Sequence, residues 1–355
     1  MNIFILALEP LESRYTGQWF TFLPNKIGRF AFNNDIDTSV WNVAGKQAQS
    51  KPTEGAFLNF TDTNIWKNTQ INQIAEYFQD GIIQPGDKFI FPDAWHPGII
   101  QVRYMSDLLD IPVEIHSIWH AGSYDPNDFL GRKVKNKSWS YSFEKSLYFA
   151  SDKNYFATEY HRNLFQRQLG LSYENDFIGK GFVVGLPFDY LEEKLLPFRN
   201  QPKENIILFP HRTSSEKQPE IFEDLAKELP EYEFIFCQNQ DLTKDEYHAL
   251  LGRSKMVFSA NLQETLGISV YEGWLAGSIP LIPDRLSYTE IWPEKYLYPS
   301  IWTSSWENYV AYKEELKAHI GRIMSSTEVE LVGNPESYFS MNEMLKEIFN
   351  QNAKY

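Results

Sequence analysis

The sequence predicts an α/β fold built from two doubly wound parallel-sheet units. Short apolar runs alternate with helical stretches along the whole chain, the pattern of a parallel sheet covered on both faces. The pattern pauses at 195–204, which holds two prolines and mixed charge, and then restarts. A length of 355 residues with 43% hydrophobic and 23% charged residues suits two globular units and excludes wholesale disorder. The expectation is two facing Rossmann-like domains with an interdomain cleft, ligands lying beyond the carboxyl ends of the strands.

The elements follow in order. Residues 2–8 form an apolar strand, and 56–60 a second. Residues 64–79 read as a helix with Ile65, Ile71, Ile74, Ala75 and Phe78 on one stripe. Pro85-Gly86-Asp87 is a turn, 88–91 a strand, 98–109 a helix and 113–119 a strand. Residues 125–138 read as an irregular polar loop; 141–150 and 158–169 read as helices and 182–186 as a strand. After the linker come strands at 205–209, 232–237, 256–259 and 278–282. Helices lie at 219–229, 244–252, 266–276, 305–324 and 341–350. The boundaries expected are a first domain at 1–195, a second at 196–325, and a terminal helical segment, 326–355, packing back on the first.

Composition narrows the function classes. One cysteine, Cys237, rules out an internal disulfide framework and a multi-cysteine zinc site. His116/His120 lie four apart and Asp93/His96 three apart, but the first pair falls on a strand and no metal set is expected. No apolar run reaches the roughly 20 residues of a membrane span, and the first eight residues are too short for a signal peptide, so a soluble, cytoplasmic protein is expected. The net charge of −14 opposes broad binding to nucleic acid or anionic membrane, without excluding a local basic patch. Aromatic residues reach 16%, and flat rings not used in the core stack well on sugars and bases.

The segment 259–272 carries the strongest chemistry. A strand ends at Ser259 and a helix is expected from Leu266. The amides of Thr265, Leu266, Gly267 and Ile268 then sit at a helix N-terminus, with no side chain at Gly267, a ready anion site for a diphosphate. Glu264 precedes that helix and Glu272 lies inside it, suited to sugar and ribose hydroxyls respectively. Arg212 and Lys217 follow the strand 205–209. Two cations on one such loop can neutralise a diphosphate leaving group, Arg in bidentate fashion and Lys as a compact charge.

Arg212-x4-Lys217, Glu264-x7-Glu272 and Ala276-Gly277-Ser278-Ile279-Pro280-Leu281-Ile282 resemble the donor half of family-4 retaining glycosyltransferases of the GT-B fold. The likeness covers roughly residues 205–300. It is most similar to the queuosine-tRNA mannosyltransferase group, through Phe209-Pro210-His211-Arg212, Glu216-Lys217-Gln218-Pro219 and Leu286-Ser287-Tyr288-Thr289-Glu290. Thr265-Leu266 stands where the family often has Gly-Phe. The resemblance implies a nucleotide-sugar donor, commonly a uridine diphosphate sugar, with no permanently bound cofactor. Arg212 and Lys217 would hold the diphosphate, Glu264 the sugar with the amides of 266–268, and Glu272 the ribose. It also implies a role for His120, in Trp119-His120-Ala121-Gly122, beside the reacting sugar. Gly17, in Tyr15-Thr16-Gly17-Gln18, would sit in a loop over the diphosphate.

On the acceptor side, Arg132, Lys133, Lys135 and Lys137 form the one basic cluster, suited to phosphate contacts. Trp95, Tyr124 and their aromatic neighbours Trp119 and Trp139 offer stacking surfaces. A hydroxyl on a modified nucleic-acid base is the acceptor these imply, such as a hydroxymethylated pyrimidine in viral DNA or a modified tRNA base. A small molecule, a lipid or a polysaccharide is the alternative. Two other classes fit a chain of this shape. A nucleotide-sugar epimerase would form product without acceptor, and a noncatalytic sugar-binding relic would have lost the intact charged set.

Overall fold

The structure, a computed structural model, describes residues 1–11, 14–47, 58–326 and 331–350. It divides into two compact units, residues 1–187 joined by the segment from Ser340 onward, and residues 188–339. The division falls at 187/188 rather than at the expected 195/196. The expected linker belongs to the second unit, as the end of a helix followed by a 3-10 turn, Leu196–Phe198.

The first unit contains β1 (Asn2–Leu6), α1 (Tyr15–Asn33), β2 (Ser39–Val43), α2 (Phe60–Gln79), β3 (Lys88–Phe91) and α3 (Gly98–Leu108). These are followed by β4 (Glu114–Ile118), α4 (Phe129–Lys133), α5 (Lys137–Ala150), β5 (Lys153–Phe156), α6 (Glu159–Leu169) and β6 (Gly181–Val183). Its six strands are parallel in the order β2-β1-β3-β4-β5-β6. The three central strands β3, β4 and β5 are buried at every residue, as parallel strands covered on both faces must be.

The second unit contains α7 (Tyr190–Leu195), β7 (Glu204–Phe209), α8 (Pro219–Glu228), β8 (Glu233–Phe236), α9 (Lys244–Arg253) and β9 (Ser254–Phe258). It continues with α10 (Ile268–Leu275), β10 (Ile279–Pro283), α11 (Tyr288–Ile291), β11 (Leu297–Tyr298) and α12 (Trp306–Ser325). Its five strands are parallel in the order β11-β10-β9-β7-β8. The last helix, α13 (Asn342–Phe349), belongs to the first unit. Met344, Leu345 and Ile348 bury its apolar stripe, and the Lys88 ammonium donates to the Ile348 carbonyl at 2.7 Å, where a cation favours a helix C-terminus.

The strand order changes direction between β1 and β3 in the first unit and between β7 and β9 in the second. In sheets of this kind ligands bind beyond the carboxyl ends of the strands beside such a reversal.

Local chemistry explains most element starts. Asn59, Asp128, Asn136, Thr158 and Ser305 each cap the helix that follows. Thr243 and Glu246 form a reciprocal capping box on α9. Several expectations are corrected. Residues 15–33 form a helix with Pro24 inside it, and β2 and β5 were not anticipated. Of the strand expected at 56–60, residues 56 and 57 lie outside the described residues, and Phe60 opens α2. The polar loop at 125–138 contains α4 and the capped start of α5.

Candidate functional site

The second unit's switch point gathers the charged residues of the sequence motifs. β7 ends at Phe209. The chain then runs through Pro210, His211 and Arg212 into a 3-10 turn, Ser215–Lys217. Gln218 takes the left-handed conformation, φ 51°, and turns the chain into α8. This tight path buries Lys217, whose ammonium donates to the Gln263 carbonyl at 2.7 Å and lies 3.3 Å from Glu264 Oε2. Arg212 stays 41% exposed at its side chain, 3.4 Å from Glu216 Oε1.

Glu264 follows β9. Its Oε1 accepts from the amides of Thr265 at 3.1 Å and Leu266 at 3.4 Å, and its Oε2 accepts from Asn261 Nδ2 at 3.3 Å. Burial opposes its charge, but Lys217 and the Leu266 amide outweigh burial and hold the carboxyl below its ordinary range. Glu264 is therefore an oriented carboxylate whose remaining lone pairs can accept from hydroxyl groups.

α10 begins at Ile268, two residues later than expected. Gly267 is its N-cap at φ 87°, and no side chain caps the helix. The uncapped first turn leaves the amides of Ile268 and Ser269 as natural anion donors. The amides of Thr265 and Leu266, expected to join them, are instead taken by Glu264, and the Leu266 side chain is core. A Cβ on Gly267 would stand 2.8 Å from a Tyr288 ring carbon, so glycine is required for space as well as conformation.

Glu272 lies one turn into α10 and accepts from the Tyr247 hydroxyl at 2.9 Å. Burial pushes its carboxyl up to about 7, against the hydrogen bond from Tyr247 and the charge of Lys244. His211 lies 3.2 Å from Ser269 Oγ; burial and the Lys217 charge push it down to about 3, so the ring is neutral.

In the first unit, His120 follows β4. Its Nε2 lies 2.7 Å from the Pro92 carbonyl, and its Nδ1 lies 3.4 Å from the Tyr15 hydroxyl. A carbonyl only accepts, which assigns the proton to Nε2 and leaves Nδ1 as an acceptor. Burial lowers its pKa against the opposing charge of Asp93.

Gly17 is corrected. It lies in the first turn of α1, its amide donating to the Arg14 carbonyl at 3.2 Å, and is not part of a glycine loop. Three acceptor-side residues are corrected as well. Trp119 is fully buried, donating to Asn154 Oδ1 at 2.8 Å, and offers no stacking surface. Tyr124 is fully buried, with its hydroxyl 2.5 Å from His161 Nε2, so its ring cannot stack on a ligand. Lys137 donates to the Ser123 and Gly131 carbonyls at 2.9 and 2.5 Å and staples the loop instead of meeting phosphate. Arg132, Lys133 and Lys135 are exposed. Trp95 is half-buried, donating to Glu144 at 2.8 Å and packing edge-on against the exposed Trp139. Among the described residues no cluster of three or more His, Cys, Asp or Glu side chains could hold a metal ion.

Sequence reasoning missed Asn261, Tyr247 and Arg285, which hold the site from behind. Arg285 donates to the carbonyls of Ala260 and Asn261, both at 2.7 Å, and to those of Ser300 and Thr303. Tyr288 shows in the sequence only as part of the Leu286–Glu290 motif.

No protein-family model matches the sequence. Among solved structures the chain is similar to the lipopolysaccharide outer core galactosyltransferase WaaB, with TM-score 0.55, 13% identity and coverage of 99% of this chain and 100% of that one. It is also similar to Anabaena Alr3699/HepE in complex with UDP and glucose, with TM-score 0.53, 10% identity and coverage of 100% and 99%. The chain spans 57% of the length of the pneumococcal O-GlcNAc transferase GtfA, covering 80% of itself at 14% identity and TM-score 0.49. The full-length matches define the class of fold: two parallel-sheet α/β units, as in the GT-B glycosyltransferases.

Proposed function

We propose that this protein is a glycosyltransferase that takes a sugar from a nucleoside diphosphate donor, with uridine diphosphate as the nucleotide, by the retaining chemistry of family 4. The supporting observation is the convergence of Arg212, Lys217, Glu264 and the uncapped start of α10 at one switch point. In this reading Arg212, Lys217 and the amides of Gly267, Ile268 and Ser269 bind the diphosphate. Glu264 accepts hydrogen bonds from sugar hydroxyls and Glu272 from the ribose.

The bond between the anomeric carbon and the phosphate oxygen breaks, and its electron pair stays on the diphosphate. The acceptor oxygen bonds the same carbon on the same face, and its proton passes to a phosphate oxygen. Stabilising the departing charge is the main task, and fixed cations and amides perform it without reorganisation. His120, neutral with Nδ1 as acceptor, orients a hydroxyl of donor or acceptor.

For the acceptor we propose a hydroxyl on a modified nucleic-acid base, supported by the exposed Arg132, Lys133 and Lys135. A second reading, a small-molecule, lipid or glycan hydroxyl, is favoured by the net charge of −14 and by the loss of Tyr124 and Lys137 from the acceptor set. Transfer from UDP-sugars, followed by mass measurement of candidate acceptors, tests the reading. Glu264→Ala and Arg212→Ala should abolish transfer while the circular dichroism spectrum is unchanged. Full activity in both variants would refute the site, and product formed without acceptor would indicate an epimerase.

A further inference from the structure

We infer that Asn261 and Tyr288 are positioning residues for Glu264, and that they set the preference of this site for a sugar-bearing nucleotide over the bare nucleoside diphosphate. The inference rests on the donor reading above.

Asn261 is fully buried. Its amide nitrogen divides between two acceptors, the Tyr288 hydroxyl at 3.0 Å and Glu264 Oε2 at 3.3 Å. The Tyr288 hydroxyl in turn lies 3.1 Å from Ser259 Oγ. Charge fixes the sense of this chain. Reversing the amide would set Oδ1 against the Glu264 carboxylate, so nitrogen faces Glu264 and Tyr288 accepts. Among the described residues Asn261 Oδ1 is buried without a hydrogen-bond partner. An orphaned buried acceptor is unfavourable for folding, and an apolar side chain of similar size would avoid it. The asparagine is explained by what its nitrogen does, which is to hold one oxygen of Glu264.

The surrounding turn is built to keep Tyr288 in place. Leu286 adopts φ 61°, unusual for a side chain of its kind, directly after Arg285 grips the carbonyls behind Asn261. Gln218 adds a second clamp on the Ala260 and Thr303 carbonyls. The Tyr288 ring covers Gly267 at the start of α10, while its hydroxyl reaches Asn261. Ring and hydroxyl thus serve separate parts of the site, the diphosphate end and the sugar end. Tyr288→Phe separates them, since it keeps the ring and removes one oxygen.

The test uses the full chain and two readouts. In the ligand-free protein, carbon-13 NMR follows the titration of the Glu264 carboxyl in wild type, Asn261→Ala and Tyr288→Phe. Calorimetry measures UDP and UDP-glucose binding to the same three proteins. Asn261→Ala should raise the Glu264 midpoint and reduce the advantage of UDP-glucose over UDP by about tenfold, as expected for losing a hydrogen bond to a charged group. Tyr288→Phe should move both in the same direction by less, with UDP affinity unchanged. An unchanged Glu264 midpoint in both variants overturns the inference, as does an equal loss of UDP and UDP-glucose affinity. If wild type binds neither nucleotide, the donor reading fails, and the Glu264 titration alone decides the positioning role. If Asn261→Ala fails to fold, the single-atom change in Tyr288→Phe carries the test.

Discussion

The two units share an architecture and differ in what fills it. Each is a parallel sheet whose order reverses beside its first strand, and each places loops at that reversal. In the second unit the reversal holds an exposed arginine and an uncapped helix start, beside a carboxylate kept ionised by its neighbours. In the first unit it holds side chains that satisfy one another. Lys67 donates to Asp93 at 2.7 Å and to the Trp95 carbonyl at 2.6 Å. Gln70 donates to the Ala7 and Val43 carbonyls, and its Oε1 accepts from His96 Nε2 at 3.2 Å. Among the described residues a small cavity of about 30 Å³, large enough for water, lies among Glu9, Thr16, Lys67, Gln70, Asp93 and His96. The same topology carries an exposed arginine and an uncapped helix start in one unit and paired polar side chains in the other; among the described residues the difference lies in side chains and not in the fold.

Four substitutions or conditions would break or sharpen this contrast. The largest effect is expected at Lys217. Lys217→Ala removes the buried cation beside Glu264 and should lower the transfer rate by about 10²–10³-fold, measured with a UDP-sugar and the best acceptor found. In the first unit the matching change should cost stability. Lys67→Met leaves the half-buried Asp93 without its cation and should destabilise the protein by about 1–3 kcal/mol in urea unfolding. Equal loss of nucleotide binding in Lys67→Met would break the distinction between the units.

Gly267→Ala comes next. A side chain there meets the Tyr288 ring in a left-handed backbone, and a cost of about 1–2 kcal/mol is expected, with weaker donor binding. The smallest effect concerns pH. Burial raises the folded pKa of Glu272 to about 7, above the ordinary glutamate value of 4.5. The folded state therefore holds the proton more tightly than the unfolded chain. Stability from this group is present at low pH and is lost as pH rises from about 4.5 through about 7. Ribose hydroxyls bind better to the ionised form, so UDP-glucose affinity should rise with pH through about 7 and level off above it. Glu272→Gln should flatten that profile; a profile that persists in the variant contradicts the assignment.

The charged set of the second unit is legible in the sequence because its residue types stand at strand ends. Arg212, Lys217 and Glu264 each follow a readable apolar strand, and Gly267 marks a turn. The supporting shell was not legible, because Asn261, Tyr288 and Arg285 meet only through tertiary contacts some two dozen residues apart. In the first unit Pro24 concealed α1, since proline inside a helix removes a hydrogen bond and argues against one. The edge strand β2 is half-exposed and β5 is only 4 residues long, so neither shows a period. The polar stretch around Lys137 reads as a solvated loop. Whether its lysine meets a ligand or a backbone carbonyl depends on where Gly131 and Ser123 fold.

Calorimetric titration of UDP into wild type and Lys217→Ala tests the central claim most directly. A Kd measurable in wild type and weakened by about tenfold or more in the variant is the predicted result, as expected for loss of a charge-assisted contact to phosphate. Equal affinity in the two proteins, or no binding by wild type, would contradict a diphosphate site at the β7–β9 switch point.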